Sequence, residues 1–159
     1  MEKQNIEIKL SMYKPGEELG EEVQKTIDAA IAAAANSYAP YSGFNVGAAV
    51  LLENGEIVSG SNQENAAYPS GLCAERVALF WAGAHYSHLA IKIMAVVALK
   101  DGKIVADAAA PCGSCRQVIN ESVARQKMSF PLYMVGANRV IKVDDANDLL
   151  PLSFGPSSL

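Results

Sequence analysis

Apolar residues recur at helical spacing through Leu19, Val23, Ile27, Ala30, Ile31, Ala34 and Tyr38. That pattern predicts a helix over about 17–38, stopped by Pro40. Val46 to Glu53 is almost continuously apolar and predicts a buried strand. Asn54-Gly55 follows it, a two-residue hairpin signal that leads into a second strand over about 56–62. Cys73, Val77, Phe80, Trp81 and Ala84 fall on one face of a second helix. Leu89 to Leu99, rich in Ile and Val, predicts another buried strand, closed by Asp101-Gly102. Cys112, Cys115, Ile119 and Val123 mark a third helix. Leu132–Val135 and Val140–Val143 predict two strands, antiparallel because Gly136-Ala137-Asn138 makes a tight turn between them. Asp144 to Leu150 predicts a short helix.

Continuous apolar strands separated by helices need cover on both faces of their sheet. The expected fold class is α/β: a three-layer α/β/α sandwich around one mixed five-stranded sheet. The first 17 residues are polar and interrupted by Pro15 and Gly16. They read as a loose arm or a short added strand, in which Ile6, Ile8 and Leu10 alternate. Residues 18–159 read as a single domain, and a chain of 159 residues suits one core better than two.

Charge narrows the partners. Lys and Arg total 13 against 17 Asp and Glu, a net charge of -4. Nucleic-acid affinity rests on neutralising phosphates, so an acidic chain with no basic stripe argues against a polynucleotide partner and leaves a small neutral ligand open. No apolar run reaches the roughly 18 residues of a membrane span. The start carries Glu2, Lys3, Glu7 and Lys9 and lacks the apolar stretch of a secretory signal. An odd, sparse set of three cysteines does not describe a disulfide framework, and points to a reducing, cytoplasmic setting.

All three cysteines lie in two short motifs, Cys73-Ala74-Glu75-Arg76 and Pro111-Cys112-Gly113-Ser114-Cys115-Arg116. Cys112 and Cys115 are one helical turn apart, so both thiols can face one point. Cys73 opens another helix. If the two helix starts converge, three sulfurs can hold one Zn²⁺ per chain, with the helix N-termini favouring thiolates. His85 and His88 lie several turns beyond Cys73 and cannot reach a metal at that helix start. Three protein ligands leave a position for water, as catalytic zinc sites do.

These motifs match the signature of the zinc deaminases: cysteine ligands, a nearby Glu that is not a ligand, and P-C-x-x-C. More closely, the chain resembles the small homotetrameric cytidine deaminases. Further segments carry the resemblance: Tyr41-Ser42-Gly43-Phe44-Asn45-Val46-Gly47, Asn62-Gln63-Glu64-Asn65-Ala66-Ala67-Tyr68-Pro69, and Leu149-Leu150-Pro151-Leu152-Ser153-Phe154. It departs at Asn45, where the family commonly has Pro, and at Gln63, often Ile or Val. The arm before Leu19 matches no motif.

The resemblance implies a cytidine deaminase-like fold and a hydrolytic deamination of cytidine and deoxycytidine in pyrimidine salvage. It implies that zinc activates a water for attack on C4 of the pyrimidine, with Glu75 as the proton shuttle. It implies that Arg76 offsets the thiolates, which outweigh Zn²⁺ by one negative charge. Asn62 and Glu64 would bond the ribose hydroxyls, and Glu64 would repel a 5′-phosphate. Phe44 would pack on base or sugar, Tyr68 would line the substrate, and the backbone of Ala74 would bond the O2 side of the base. Phe154 would cover the base in a neighbouring subunit's site. Other readings are a blasticidin S deaminase, a polynucleotide-editing deaminase and a zinc-stabilised interaction module without turnover.

Overall fold

The protein is described by a computed structural model covering residues 1–159. Its strands are β1 (Leu10–Tyr13), β2 (Phe44–Leu52), β3 (Ile57–Ser61), β4 (Ile91–Lys100), β5 (Lys103–Ile104), β6 (Leu132–Val135) and β7 (Val140–Val143). Its α-helices are α1 (Glu21–Ala34), α2 (Ala74–His85) and α3 (Gly113–Gln126). One sheet runs in the order β1-β7-β6-β4-β2-β3, with β5 paired to β4.

The mixed sheet is as expected, but it has seven strands rather than five. One addition is β5, whose two residues are too short to show a period of two. The other is β1, which the arm supplies at the sheet edge, antiparallel to β7. The helix expected over 17–38 is shorter. Gly20, at φ 85°, cannot be helical, and the chain leaves α1 at Ala35, well before Pro40. The short helix after β7 is a single 3₁₀ turn, Ala146–Leu149. No helix is long and apolar enough to cross a membrane.

The continuous apolar runs are explained by the layers. Ala48, Val50 and Leu52 of β2 and Met94 and Val96 of β4 pack under α2 and α3, against Ala78, Leu79, Ile119 and Val123. The alternate residues Ala49, Leu51, Ile93, Ala95 and Val97 pack under α1, against Val23, Ile27 and Ala30. Because both faces are buried, nearly every position of β2 and β4 is apolar.

Two glycines set how closely the helices sit. A Cβ at Gly47 would lie 1.9 Å from the carbonyl oxygen of Ala30, so α1 rests directly on the β2 backbone. A Cβ at Gly60 would lie 2.6 Å from the backbone nitrogen of Ala78, so α2 rests as closely on β3. That second approach fixes where the start of α2 emerges. The single parallel pair is β4–β6, and α3 is the crossover between them.

Candidate active site

The starts of α2 and α3 meet beside the end of β2. Cys73 is the N-cap of α2 and Cys112 the N-cap of α3, both with extended backbone. Cys115 lies one turn into α3 and is fully buried. The Sγ atoms of Cys73 and Cys112 are 3.8 Å apart, those of Cys112 and Cys115 3.5 Å, and all three lie within 4.8 Å of one another. Sulfurs at tetrahedral corners around zinc, about 2.3 Å from it, would be about 3.8 Å apart. The donor set fits one zinc ion. His85 is not near it: its Nδ1 faces the Trp81 carbonyl oxygen at 3.1 Å, and its ring stacks on the indole at the far end of α2.

The thiols are electrostatically uneven. A hydrogen bond with Cys115, together with the Arg76 guanidinium, holds the Cys73 thiol down to about 5. The same bond, reinforced by burial, pushes Cys115 up. Arg76 donates from Nη2 to the Gly71 carbonyl at 3.3 Å and lies 3.9 Å from Cys73 Sγ. Its Nε is buried without a partner. A guanidinium aimed at a thiol cluster with one donor unmet suits a site that carries negative charge.

Glu75, the second residue of α2, is 4% exposed. Burial pushes its carboxyl up from the ordinary range. It lines a cleft of about 420 Å³ together with Phe44, Val46, Asn62, Glu64, Cys73, Val96, Ala109, Ala110 and Cys112. A second hollow of about 450 Å³ adjoins it, shares Ser42, Asn62, Glu64 and Cys73, and adds Tyr41, Tyr68 and Arg76. The apolar lining of the cleft comes from β2, β4 and the Ala109-Ala110 segment, the helix starts supply its thiols and carboxyl, and the adjoining hollow is lined mostly by loop residues.

Asn62 and Glu64 both reach the cleft, and both also hold its wall together. Asn62 Oδ1 accepts from the Val46 N–H at 2.7 Å and its Nδ2 donates to the Phe44 carbonyl at 2.9 Å, extending the edge of β2 past the end of β3. Glu64 accepts from the backbone N–H groups of Tyr41 at 2.9 Å and Ser42 at 3.3 Å, and from Ser42 Oγ. Those bonds, the Ser42 hydroxyl foremost, hold its carboxyl below the usual range. Tyr68 is exposed and meets Tyr41 edge to face at 6.2 Å between centroids. Ala74 is fully buried at the first turn of α2, where backbone N–H groups have no partner inside the helix.

Phe154 is 63% exposed and lines neither hollow of its own chain. Its carbonyl accepts from Gln117 Nε2 at 2.9 Å, and Arg116 Nη1 reaches the Leu149 carbonyl at 3.0 Å, so α3 carries the tail. The sequence reading gave no role to Ser42, which braces Glu64 and the Phe44 N–H, nor to Ala109 and Ala110 in the cleft. Ser42 lies within the Tyr41–Gly47 segment, and its place just before the start of β2 is the available signal.

Residues 20–130 match the family model described as the cytidine and deoxycytidylate deaminase zinc-binding region. The chain belongs to the cytidine and deoxycytidylate deaminase family. Within it, the chain is 39% identical over 138 residues to a cytidine deaminase of Sporosarcina psychrophila, covering 87% of this chain and 95% of that one. It is 44% identical over 131 residues to a cytidine deaminase of Halalkalibacterium halodurans, covering 82% and 92% respectively. Among solved structures, cytidine deaminase from Burkholderia pseudomallei superposes with a TM-score of 0.68 at 36% identity, over 82% of this chain and 98% of that one. The match to the family model starts after β1.

Proposed function

We infer that this chain is a zinc-dependent cytidine deaminase that hydrolyses cytidine and deoxycytidine to uridine and deoxyuridine, releasing ammonia, as a step of pyrimidine salvage. One observation carries the reading: three thiols lie within 4.8 Å of one another, and two of them, Cys73 and Cys112, open onto the same cleft as the buried carboxyl of Glu75, two residues past Cys73. Residues 18–159 form the catalytic domain, and 1–17 are an added arm.

Cys73, Cys112 and Cys115 would hold Zn²⁺, which when bound supplies Lewis-acid activation of a water at neutral pH. Glu75 takes the proton from the attacking water, gives it to N3 of the base, and passes a proton to the leaving amino group. Burial suits it to this work, because it raises the carboxyl pKa from the ordinary range toward the neutral pH at which proton transfer in both directions is most effective. Arg76 offsets the thiolate charge that would blunt the metal's acidity. Asn62 and Glu64 bind the ribose hydroxyls. Glu64 also discriminates against a 5′-phosphate by charge. Phe44 packs on the nucleoside, Tyr68 borders it, and the Ala74 backbone faces the O2 side of the base.

The assembly in this reading is a homotetramer, with Phe154 covering the base bound mainly by another chain. Its support is an exposed Phe154 and Leu152 on the tail, and Phe80 and Trp81 half-exposed on α2 beside an apolar hollow of about 490 Å³. The free cysteines suit a reducing cytoplasm.

The test is an ultraviolet assay of zinc-loaded protein with cytidine, deoxycytidine, cytidine 5′-monophosphate and a cytosine oligonucleotide. Turnover of the two nucleosides alone, abolished by zinc removal and restored by zinc, is the expected result. Turnover of neither nucleoside by zinc-loaded protein would end this reading.

A further inference from the structure

The arm has a pattern that the deaminase site does not use. Ile6, Ile8, Leu10 and Met12 alternate with Glu7, Lys9 and Ser11, the period of one continuous strand. Only its second half is paired, as β1 on β7. Leu10 stands opposite Val143 and Met12 opposite Ile141, so both lie on the sheet face that carries α2 and α3. Yet Ile6, Ile8, Leu10 and Met12 are 56%, 42%, 49% and 58% exposed. The outer edge of β1 has no neighbour in the sheet order, and residues 1–9 make no backbone hydrogen bond. An apolar-faced edge strand is a template for another strand unless something blunts it.

The charges select the occupant. We propose that β1 and the residues before it pair antiparallel with the same segment of a second copy of this chain, about a two-fold axis at Ile8. In that register Ile8 meets Ile8 once on the axis, and Ile6 meets Leu10 and Glu7 meets Lys9, each of these twice by symmetry. Ser11 meets Asn5. Every apolar residue from Ile6 to Leu10 on the shared face finds an apolar partner, Met12 stands opposite Gln4, and the central charges, Glu7 and Lys9, oppose each other. An axis at Glu7 sets two carboxylates together, and one at Lys9 sets two ammonium groups together. The pairing carries the sheet through both copies and closes the exposed edge. It stands apart from the deaminase reading, because the arm lies outside the residues that match the family model.

Cysteine cross-linking reads the register directly. Residues facing each other across an antiparallel pair have Cα atoms about 4.5–5.5 Å apart, within disulfide range. In zinc-loaded full-length chain under mild oxidation, Ile8→Cys is expected to form a covalent dimer on a non-reducing denaturing gel. Ile6→Cys, whose opposite residue is Leu10, and the unaltered chain are expected to run as monomers. Adding Glu7→Lys to Ile8→Cys should lower the dimer yield, and adding Glu7→Lys with Lys9→Glu should restore it. A monomeric Ile8→Cys chain, or Ile6→Cys linking as well as Ile8→Cys, overturns the proposal. So does a yield indifferent to the charge reversals. None of these readouts depends on turnover or on the tail, so the deaminase reading and this pairing fail separately.

Discussion

Arg76 brings Nη2 to 3.9 Å from Cys73 Sγ while its Nε sits buried without an acceptor. The side chain is shared between the Gly71 carbonyl and the thiol cluster, and in the proposed function its positive charge offsets the thiolates. Arg76→Gln keeps a polar side chain but removes the charge. The expected loss is about 10- to 100-fold in zinc affinity or activity. Chelator competition followed by kcat on the reloaded variant checks it. Unchanged values for both would make Arg76 a packing residue.

Glu75→Gln preserves shape and burial but cannot take a proton. General acid–base groups contribute about 10²–10⁴-fold in rate, so kcat should fall by that order with zinc content and melting temperature close to the parent's. A variant that binds a full zinc equivalent and keeps its kcat would remove Glu75 from the proton path.

Glu64 braces the Tyr41-Ser42 loop and, in the proposed function, binds the ribose, so its loss should be read in two places. Glu64→Ala should raise KM for cytidine and relax discrimination against cytidine 5′-monophosphate. It should also speed hydrogen exchange at the Tyr41 and Ser42 amides, which lose their acceptor. The carboxyl is held below its ordinary range, so its contribution to the loop is complete above the unfolded-state value and is lost as pH falls through the folded one. Protection of the two amides in the parent protein, measured against the intrinsic exchange rate at each pH, should fall in that acid window.

Gly47→Ala tests the contact between α1 and β2. The added methyl would fall 1.9 Å from the Ala30 carbonyl oxygen and 2.7 Å from the Ala34 nitrogen, both backbone atoms that cannot turn aside. Overpacking of this kind costs about 1–3 kcal/mol. Urea denaturation should give a lower midpoint with an unchanged slope.

Truncation before Phe154 should leave zinc bound and raise KM for cytidine, since the phenyl group is absent from the cleft of its own chain and exposed for another. Sedimentation of the parent protein should give four chains per particle. A fully active monomer at assay concentration would contradict both the shared site and the part given to Phe154.

How far the sequence reveals this molecule differs from element to element. β2 and β4 are legible because burial on both faces leaves a long apolar run. β5 is illegible because two residues carry no period. The end of α1 is misjudged because Tyr38, four residues past Ala34, continues the apolar pattern beyond the point where the chain turns. At the site, Cys73, Glu75, Cys112 and Cys115 are legible because they stand in two local motifs. The structural duties of Asn62 and Glu64 are not. Their partners, Val46 and Phe44 for one, Tyr41 and Ser42 for the other, are set by the pairing of strands and not by neighbours in sequence.

The crossover of α3 between β4 and β6 has a consequence for the order of folding. Cys112 and Cys115 sit on that crossover, whereas Cys73 is reached from β3. No short stretch of chain contains all three donors, unlike a small metal-nucleated module. They come together only when β4 lies between β2 and β6, a pairing of segments far apart in sequence. The complete ligand set is a product of the finished sheet, so the three-thiol site as a whole exists only where β2, β4 and β6 are already paired.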